Sequence, residues 1–578
     1  MRACRTAHFS TGFKARSLTP ARAFDSAGAG HNGRHAVEKN QGGRGNQLHF
    51  GDNLVVLRSG AIPPESVDLI YLDPPFNSNA SYNMLFVEPE GLKSQAQIEA
   101  FEDTWQWGIE AEEACDDILD GANQKLGKLI YALRETLGDN SMMAYVAMMA
   151  VRLVELHRVL KKTGSLYLHC DPTASHYLKM VLDAVFGIAN FRSEIIWQRT
   201  SAKGDVKNKF GAVHDSILFY AKSPSTPMQS VFAAKDEAYL GRFKLDDKDG
   251  RGPYRLAPLD SPNLRPNLVY KYREFSPPSK GWRVSREVME HLDSEGRLAF
   301  PRTSGGRIAR KHYLSEQEGR KVGDVWTDIP PLQAASVERL GYPTQKPLAL
   351  LERIIAASSA PGDVVLDPFC GCGTAVHGAQ RLGRVWIGID VTHLAVSLIE
   401  SRLVSAFPTI QYELFGTPKD VAGARSLAAR NKHQFELWAL SLVKAQPGND
   451  RKKGADHGID GLLWLRIGHR ERAKVIVSVK GGFNVSVPMV RDLVGVIERE
   501  KAAIGLFVTM HPPTGPMKAE AAKAGFYQCD GERYSRIQIL TIEELLAGKR
   551  ADLPLIDHAA LTRQAPIDQH RTTQHSLL

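Results

Sequence analysis

The sequence predicts an α/β protein whose strands are mostly parallel and whose ligand lies at the carboxyl edge of the sheet. Three stretches predict it. Val67-Asp68-Leu69-Ile70-Tyr71-Leu72 reads as a buried strand and runs straight into Asp73-Pro74-Pro75-Phe76. Val364-Val365-Leu366-Asp367 reads as a second, followed by Pro368-Phe369-Cys370-Gly371-Cys372-Gly373-Thr374 and a helix opening at Ala375. Val385-Trp386-Ile387-Gly388-Ile389-Asp390 is a third, ending in an acid. Short apolar runs without alternation suit strands covered on both faces. Glycines after such a strand let the backbone turn tightly and pass close to a ligand. An acid ending the next strand can hold two ribose hydroxyls. No Gly-Lys-Ser/Thr follows the loop, so it is not a phosphate-binding P-loop. It also departs from Gly-x-Gly-x-x-Gly, which favours a nucleoside cofactor other than a dinucleotide.

The first stretch carries the chemistry. An acid, two prolines and an aromatic ring at a strand end can grip a planar amino group. Asp73 would accept a hydrogen bond from the amine, Pro74 would offer its carbonyl, and Phe76 would give a stacking face. Methylating the exocyclic amine of a nucleobase requires this. Taken alone, the tetrapeptide is equally a Pro-rich turn that closes a strand.

The other elements fall in order around these motifs. Leu48-His49-Phe50-Gly51-Asp52 is a short strand ending in an acid. Residues 141 to 162 carry apolar side chains at helical spacing, among them Met142, Met143, Val146, Met149, Leu153 and Leu156, and a stripe of this kind is usually core. Gly164 to Asp171 is the next strand, residues 173 to 186 a helix, and Gly187 its stop. Glu194 to Arg199 and Ser216 to Tyr220 read as a closing hairpin. His169 and Asp171, at a strand end, either line the pocket or are ordinary strand-end polar groups. Between about 200 and 340 the alternation is lost, and Arg251, Arg255, Arg265, Lys271, Arg273, Lys280 and Arg283 interleave with Tyr254, Tyr270, Tyr272 and Trp282. Such an insert either neutralises phosphates or is simply a charged, solvated region. Tyr342-Pro343-Thr344-Gln345-Lys346-Pro347 then precedes a helix from Leu348 to Ser358.

Composition agrees with several globular domains: 578 residues, 43% hydrophobic and 24% charged. A net charge of +9 suggests a polyanionic partner without demanding one. The six cysteines are scattered, with neither zinc-type pair spacing nor the density of a disulfide scaffold. Cys370 and Cys372 are better read as small loop residues than as ligands. No apolar run is long enough to cross a membrane as a helix.

Asp73-Pro74-Pro75-Phe76, the 367–374 loop and Tyr342 to Pro347 together resemble the signature motifs of the DNA amino-methyltransferases. The tetrapeptide precedes the glycine loop, an order similar to the beta group of that family. The resemblance covers roughly residues 46 to 415. It implies a Rossmann-like, S-adenosylmethionine-dependent methyltransferase fold with permuted motif order, acting on double-stranded DNA in the bacterial cytoplasm. It implies that Asp73, Pro74, Pro75 and Phe76 are catalytic. It places Asp52, Asp367, Pro368, Phe369, Gly371, Gly373, Thr374, Asp390 and Lys346 at the cofactor. From the residues alone, Asp52 is equally a loop cap and Lys346 a surface residue at a helix start. An Asp at the head of the tetrapeptide points to adenine N6 rather than cytosine N4. The resemblance also implies base flipping, a target-recognition role for the insert and a homodimer, and it calls for no metal in methyl transfer.

The last portion is a separate unit. Residues 416–432, with Gly416, Pro418 and Gly423, read as a linker. Strands are expected at Gly461 to Leu465, Lys474 to Lys480 and Ala503 to Thr509 within a domain spanning 433–550. An Asp on one strand and a Lys ending the next suit metal-assisted phosphodiester hydrolysis, or are a buried strand pair with a charged end. The region resembles the Mrr-type restriction endonucleases of the PD-(D/E)xK group, with Asp460 and Lys480 matching the metal Asp and the Lys. Ser478 stands where that family carries Glu or Gln, and a hydroxyl is a weaker ligand. The resemblance therefore favours a DNA-binding or degenerate nuclease module; magnesium at Asp460 enters only if the domain cuts. Residues 1–45 read as a disordered basic leader and 551–578 as a flexible tail.

Overall fold

The computed structural model describes residues 45–554, except 77–79, 88–92, 104, 202–207, 209, 302–305, 334–335, 343, 449–457, 468–470, 483 and 530. The leader before Gly45, the tail beyond Pro554 and Pro343 of the Tyr342–Pro347 stretch lie outside the described residues. The described residues from Gly45 onward belong to one compact unit.

Its larger sheet has nine strands: β1 (Asn46–Phe50), β2 (Val67–Leu72), β3 (Leu160–Cys170), β4 (Phe191–Gln198), β5 (His214–Ala221), β6 (Val325–Trp326), β7 (Val364–Asp367), β8 (Val385–Asp390) and β9 (Tyr412–Phe415). They lie in the order β6-β4-β5-β3-β2-β7-β8-β1-β9. Only β5 runs opposite to the rest: it is antiparallel to β3 and β4, while every other neighbouring pair is parallel. The expected hairpin is therefore present as β4 and β5.

Strand β2 shows why these runs lack alternation. Ile70 and Leu72 face one core, with the helices α1 (Ser141–Val159) and α2 (Pro172–Phe186). Leu69 and Tyr71 face the other, with α3 (Leu348–Ser358), α4 (Thr374–Arg381) and α5 (His393–Ala406). Side chains alternate between faces, but both faces are buried. The methionine stripe is core as expected: Met143 and Met149 are fully buried in α1.

The chain leaves β2 toward β3 on one side and reaches β7 and β8 on the other. A crevice opens where the direction of travel reverses, at the carboxyl ends of β2 and β7.

The insert has its own core, built from Leu259, Tyr272, Trp282, Met289, Leu292, Leu298 and Ile308. Its aromatic residues are thus largely internal, with Trp282 only 2% exposed. Several of its charges are paired within it, Arg273 with Asp293 and Arg297 with Glu316. Arg265 and Lys271 stay exposed. The insert hangs from a two-stranded stalk, Phe232–Ala233 paired antiparallel with Arg320–Lys321.

The segment expected as a linker at 416–432 is instead largely helical. Helix α6 (Val421–Arg430) occupies it, and its Ala424 and Leu427 are buried in the C-terminal core. Asp420 caps it by accepting from the Gly423 N–H at 2.7 Å, so Gly423 belongs to a first helical turn and not to a loop. Helix α7 (Lys432–Leu442) follows directly. The second sheet has five strands, β10 (Gln446–Pro447), β11 (Gly461–Ile467), β12 (Glu471–Lys480), β13 (Ile504–Thr509) and β14 (Ile537–Thr541), in sequence order. The β11–β12 pair is antiparallel, and β12, β13 and β14 are mutually parallel.

Candidate active site

A cavity of about 530 Å³ fills the crevice, within the roughly 300–1,000 Å³ usual for small-molecule sites. It brings together Asp73, Pro74, Pro75 and Phe76 from the end of β2, Asp367 to Cys372 and Thr374 from the loop after β7, Asp390 from the end of β8, Asp52 after β1, and Lys346. Gly373 does not line it. That glycine turns the loop into α4 with φ +72°, where an added Cβ would lie 2.9 Å from Ile399 Cγ1.

The half-buried Asp73 is held from across the cavity. Lys346 Nζ donates to its Oδ2 at 2.5 Å, and the same ammonium sits 5.1 Å from the centre of the Phe76 ring. Lys346 is 8% exposed, so it is not a surface lysine. Gln345 and Glu338 fix the segment that carries it. Gln345 accepts from the Leu340 N–H and donates to the Glu338 carbonyl, and the Glu338 carboxylate caps α3 through the Leu348 N–H.

Behind the tetrapeptide runs a buried polar chain. The Tyr71 hydroxyl meets His169 Nδ1 at 2.9 Å, and His169 Nε2 meets Asp215 Oδ2 at 3.1 Å. Arg199 reaches Asp215 Oδ1 at 3.0 Å as an ion pair without hydrogen-bond alignment. His169 also stacks against Phe76, with ring centres 5.9 Å apart. His169 therefore backs the site instead of lining it. Asp171 is a helix cap, accepting from the Thr173 and Ala174 N–H groups.

The loop is tied to the two acids. Asp367 accepts from the Phe369 N–H, and burial pushes its carboxyl well above the usual range. Asp390 Oδ2 accepts from the Gly371 N–H at 2.8 Å, and its Oδ1 accepts from the N–H and hydroxyl of Thr392. Burial raises the Asp390 carboxyl too, opposed by those hydrogen bonds. Cys370 and Cys372 are buried packing residues. Asp52 caps a helix through the Val55 N–H, and it also lines the cavity.

Other cavity residues were not singled out from the sequence. Arg152 donates to Asp52 Oδ2 at 2.8 Å and to Asn53 Oδ1 at 2.6 Å, and Asn53 donates to the Pro368 carbonyl at 2.8 Å. Trp105, and His433, Gln434 and Leu437 of α7, also line the wall.

In the C-terminal domain, Asp460, Ser478 and Lys480 do come together. Asp460 Oδ2 accepts from Ser478 Oγ at 3.1 Å, the Val479 N–H at 2.6 Å and Lys480 Nζ at 3.2 Å. One carboxylate, one hydroxyl and one ammonium offer a hard divalent ion a single strong oxygen ligand. Among the described residues, no group of three His, Cys, Asp or Glu side chains could hold a metal. These residues do not fit a magnesium site. No helix among the described residues is long and apolar enough to cross a membrane.

Comparison with known families gives the arrangement its place. The DNA methylase family matches residues 67–401, more than half of the chain, from the start of β2 into α5. The chain belongs to the DNA methylases. This DNA methylase also matches a restriction endonuclease family over residues 427–546. It is 27% identical to the type II methyltransferase M.EcaI of Enterobacter cloacae, across 68% of this chain and 76% of that protein. It is 25% identical to the DNA adenine methyltransferase YhdJ of Escherichia coli K12, across 67% and 93%. Among solved structures it matches the cytosine-N4-specific PvuII DNA methyltransferase at 15% identity and a TM-score of 0.30, covering 62% of this chain and 89% of that one.

Proposed function

We propose that this DNA methylase transfers a methyl group from S-adenosylmethionine to the N6 amino group of adenine in DNA. The observation that carries the reading is the placement of Asp73 and Asp390 in one cavity, at the ends of β2 and β8, with the glycine loop of β7 between them. Asp390 accepts hydrogen bonds from the two ribose hydroxyls. The backbone of Gly371 and its neighbours lets the donor lie close to the sheet edge. When bound, the donor supplies a sulfonium methyl open to in-line attack.

The adenine amine is a poor nucleophile because its lone pair is delocalised into the ring. Lys346 holds Asp73 Oδ2, which leaves Oδ1 to accept from the amine. A second hydrogen bond to the Pro74 carbonyl draws the amine toward tetrahedral geometry and localises the pair. The target must leave the base stack, at a cost of a few kcal/mol. Phe76, backed by His169, stacks on the extruded base. Adenine is favoured because Asp heads the tetrapeptide, and a DNA adenine methyltransferase is among the relatives. DNA methylated by the full chain should yield N6-methyladenine on digestion to nucleosides. N4-methylcytosine instead would end the adenine assignment.

The C-terminal domain contributes DNA binding without cleavage. The bond from Ser478 to Asp460 supports this, since the hydroxyl is turned toward the one carboxylate that a metal would need. Unmethylated duplex DNA incubated with the full chain and magnesium should stay intact on a gel. Specific cleavage that disappears in Asp460→Ala would establish the opposite, a protein that both modifies and cuts.

A further inference from the structure

We infer that helix α7 of the C-terminal domain is part of the methyl-donor site, and that Gln434 donates a hydrogen bond to the base of the bound nucleoside. The inference rests on the S-adenosylmethionine reading above. It starts from the order of strands along the cavity. The reacting end, at Asp73, belongs to β2. Moving across the sheet, the edge passes the glycine loop after β7, then Asp390 after β8, then Gly51 and Asp52 after β1. With the ribose at Asp390 and the sulfonium facing Asp73, the base extends away from β2, beyond β8.

Helix α7 covers that end. His433, Gln434 and Leu437 line the cavity beside Val391, Thr392 and Leu394, which follow Asp390 directly. The docking is specific. The Gln434 side-chain oxygen accepts from the His393 N–H at 3.1 Å, at the first residue of α5. The His393 ring in turn stacks on Phe50 of β1, with centroids 3.6 Å apart. Leu437 is 6% exposed and adds an apolar surface.

The Gln434 amide is thereby oriented. Its oxygen is engaged by His393, and among the described residues its Nε2 has no hydrogen-bond partner. A carboxamide N–H pair suits a purine, whose ring nitrogens are acceptors. The donor site is then shared between the two family-matched segments, 67–401 and 427–546. Because binding and docking share these contacts, donor binding must tighten the hold of the C-terminal domain, and the reverse.

The experiment is calorimetric titration of the full chain with S-adenosylhomocysteine, which binds without reacting. Gln434→Glu keeps the oxygen that accepts from His393 and removes the N–H pair. It should weaken binding about three- to tenfold, as expected for one neutral hydrogen bond. The thermal midpoint of the unliganded protein should stay at the wild-type value, as should its affinity for DNA. Lys432→Ala, exposed on the same helix, should bind as wild type. Wild-type affinity in Gln434→Glu overturns the inference while leaving the donor reading intact. Failure of the wild-type chain to bind overturns the donor reading itself, whereas undiminished binding by Asp390→Ala takes the ribose away from Asp390 and overturns the inference with it. Hydrogen exchange of the wild-type protein is the second measurement. S-adenosylhomocysteine should slow exchange of the α7 amides, and unchanged exchange there counts against the inference even if a variant misfolds.

Discussion

Replacing Asp73 by alanine should lower methyl transfer by roughly 100- to 1,000-fold, the loss typical of removing one preorganised polar group from a reacting centre, while affinity for S-adenosylmethionine should change little. The reason is geometric. Oδ2 is taken by Lys346, so Oδ1 is the acceptor left for the amine. Without the carboxylate, the lone pair stays delocalised and the ammonium of Lys346, only 8% exposed, loses its counter-ion. Asp73→Asn should be almost as slow. Its single oxygen can serve the ammonium or the amine, and its amide nitrogen faces the other as a second donor. Single-turnover transfer to duplex DNA, with donor binding measured separately, checks both. A near-wild-type rate in Asp73→Ala would remove Asp73 from the mechanism.

Asp390→Ala acts on binding. In the proposed role two ribose hydroxyls would lose a charged acceptor, at a cost of about 2–4 kcal/mol, or roughly 30- to 1,000-fold in affinity. The same change frees the Gly371 N–H and Thr392, so the glycine loop loosens and the thermal midpoint falls as well. Burial raises the Asp390 carboxyl above its ordinary value, and binding needs the ionised form. Donor affinity should therefore fall on acidification at a higher pH than an exposed aspartate would give. Titrations across that range, compared with Asp390→Asn, measure it. Unchanged affinity in Asp390→Ala would place the nucleoside elsewhere.

The sequence made these two aspartates visible because each ends a strand and begins a turn. The chemistry of Asp73 to Phe76 and of the 367–374 loop is local, so contiguous residues announce it. Asn53 and Arg152 announce nothing. Arg152 meets Asn53, and Asn53 meets the Pro368 carbonyl, only because α1 packs beneath the loop. Helix α6 was hidden by Gly416, Pro418 and Gly423, which read as breakers until Asp420 is seen capping a turn that contains Gly423. The insert misled in another way. An aromatic ring between basic residues has the same sequence signature whether it faces a nucleic acid or, like Trp282, fills a small core. The contribution of α7 to the cavity depends on how two domains dock, and no periodicity within either one encodes that.

The stalk at Phe232–Ala233 and Arg320–Lys321 has a consequence for how such a protein can change. Among the described residues, what lies between its two strands packs on a core of its own and lines no part of the cavity. A cassette of different length and shape could replace residues 234–319 without shifting the register of any strand that carries Asp73, Asp367 or Asp390. The reaction would then be inherited separately from the surface that the insert presents, so one scaffold could carry different inserts while its chemistry stayed the same.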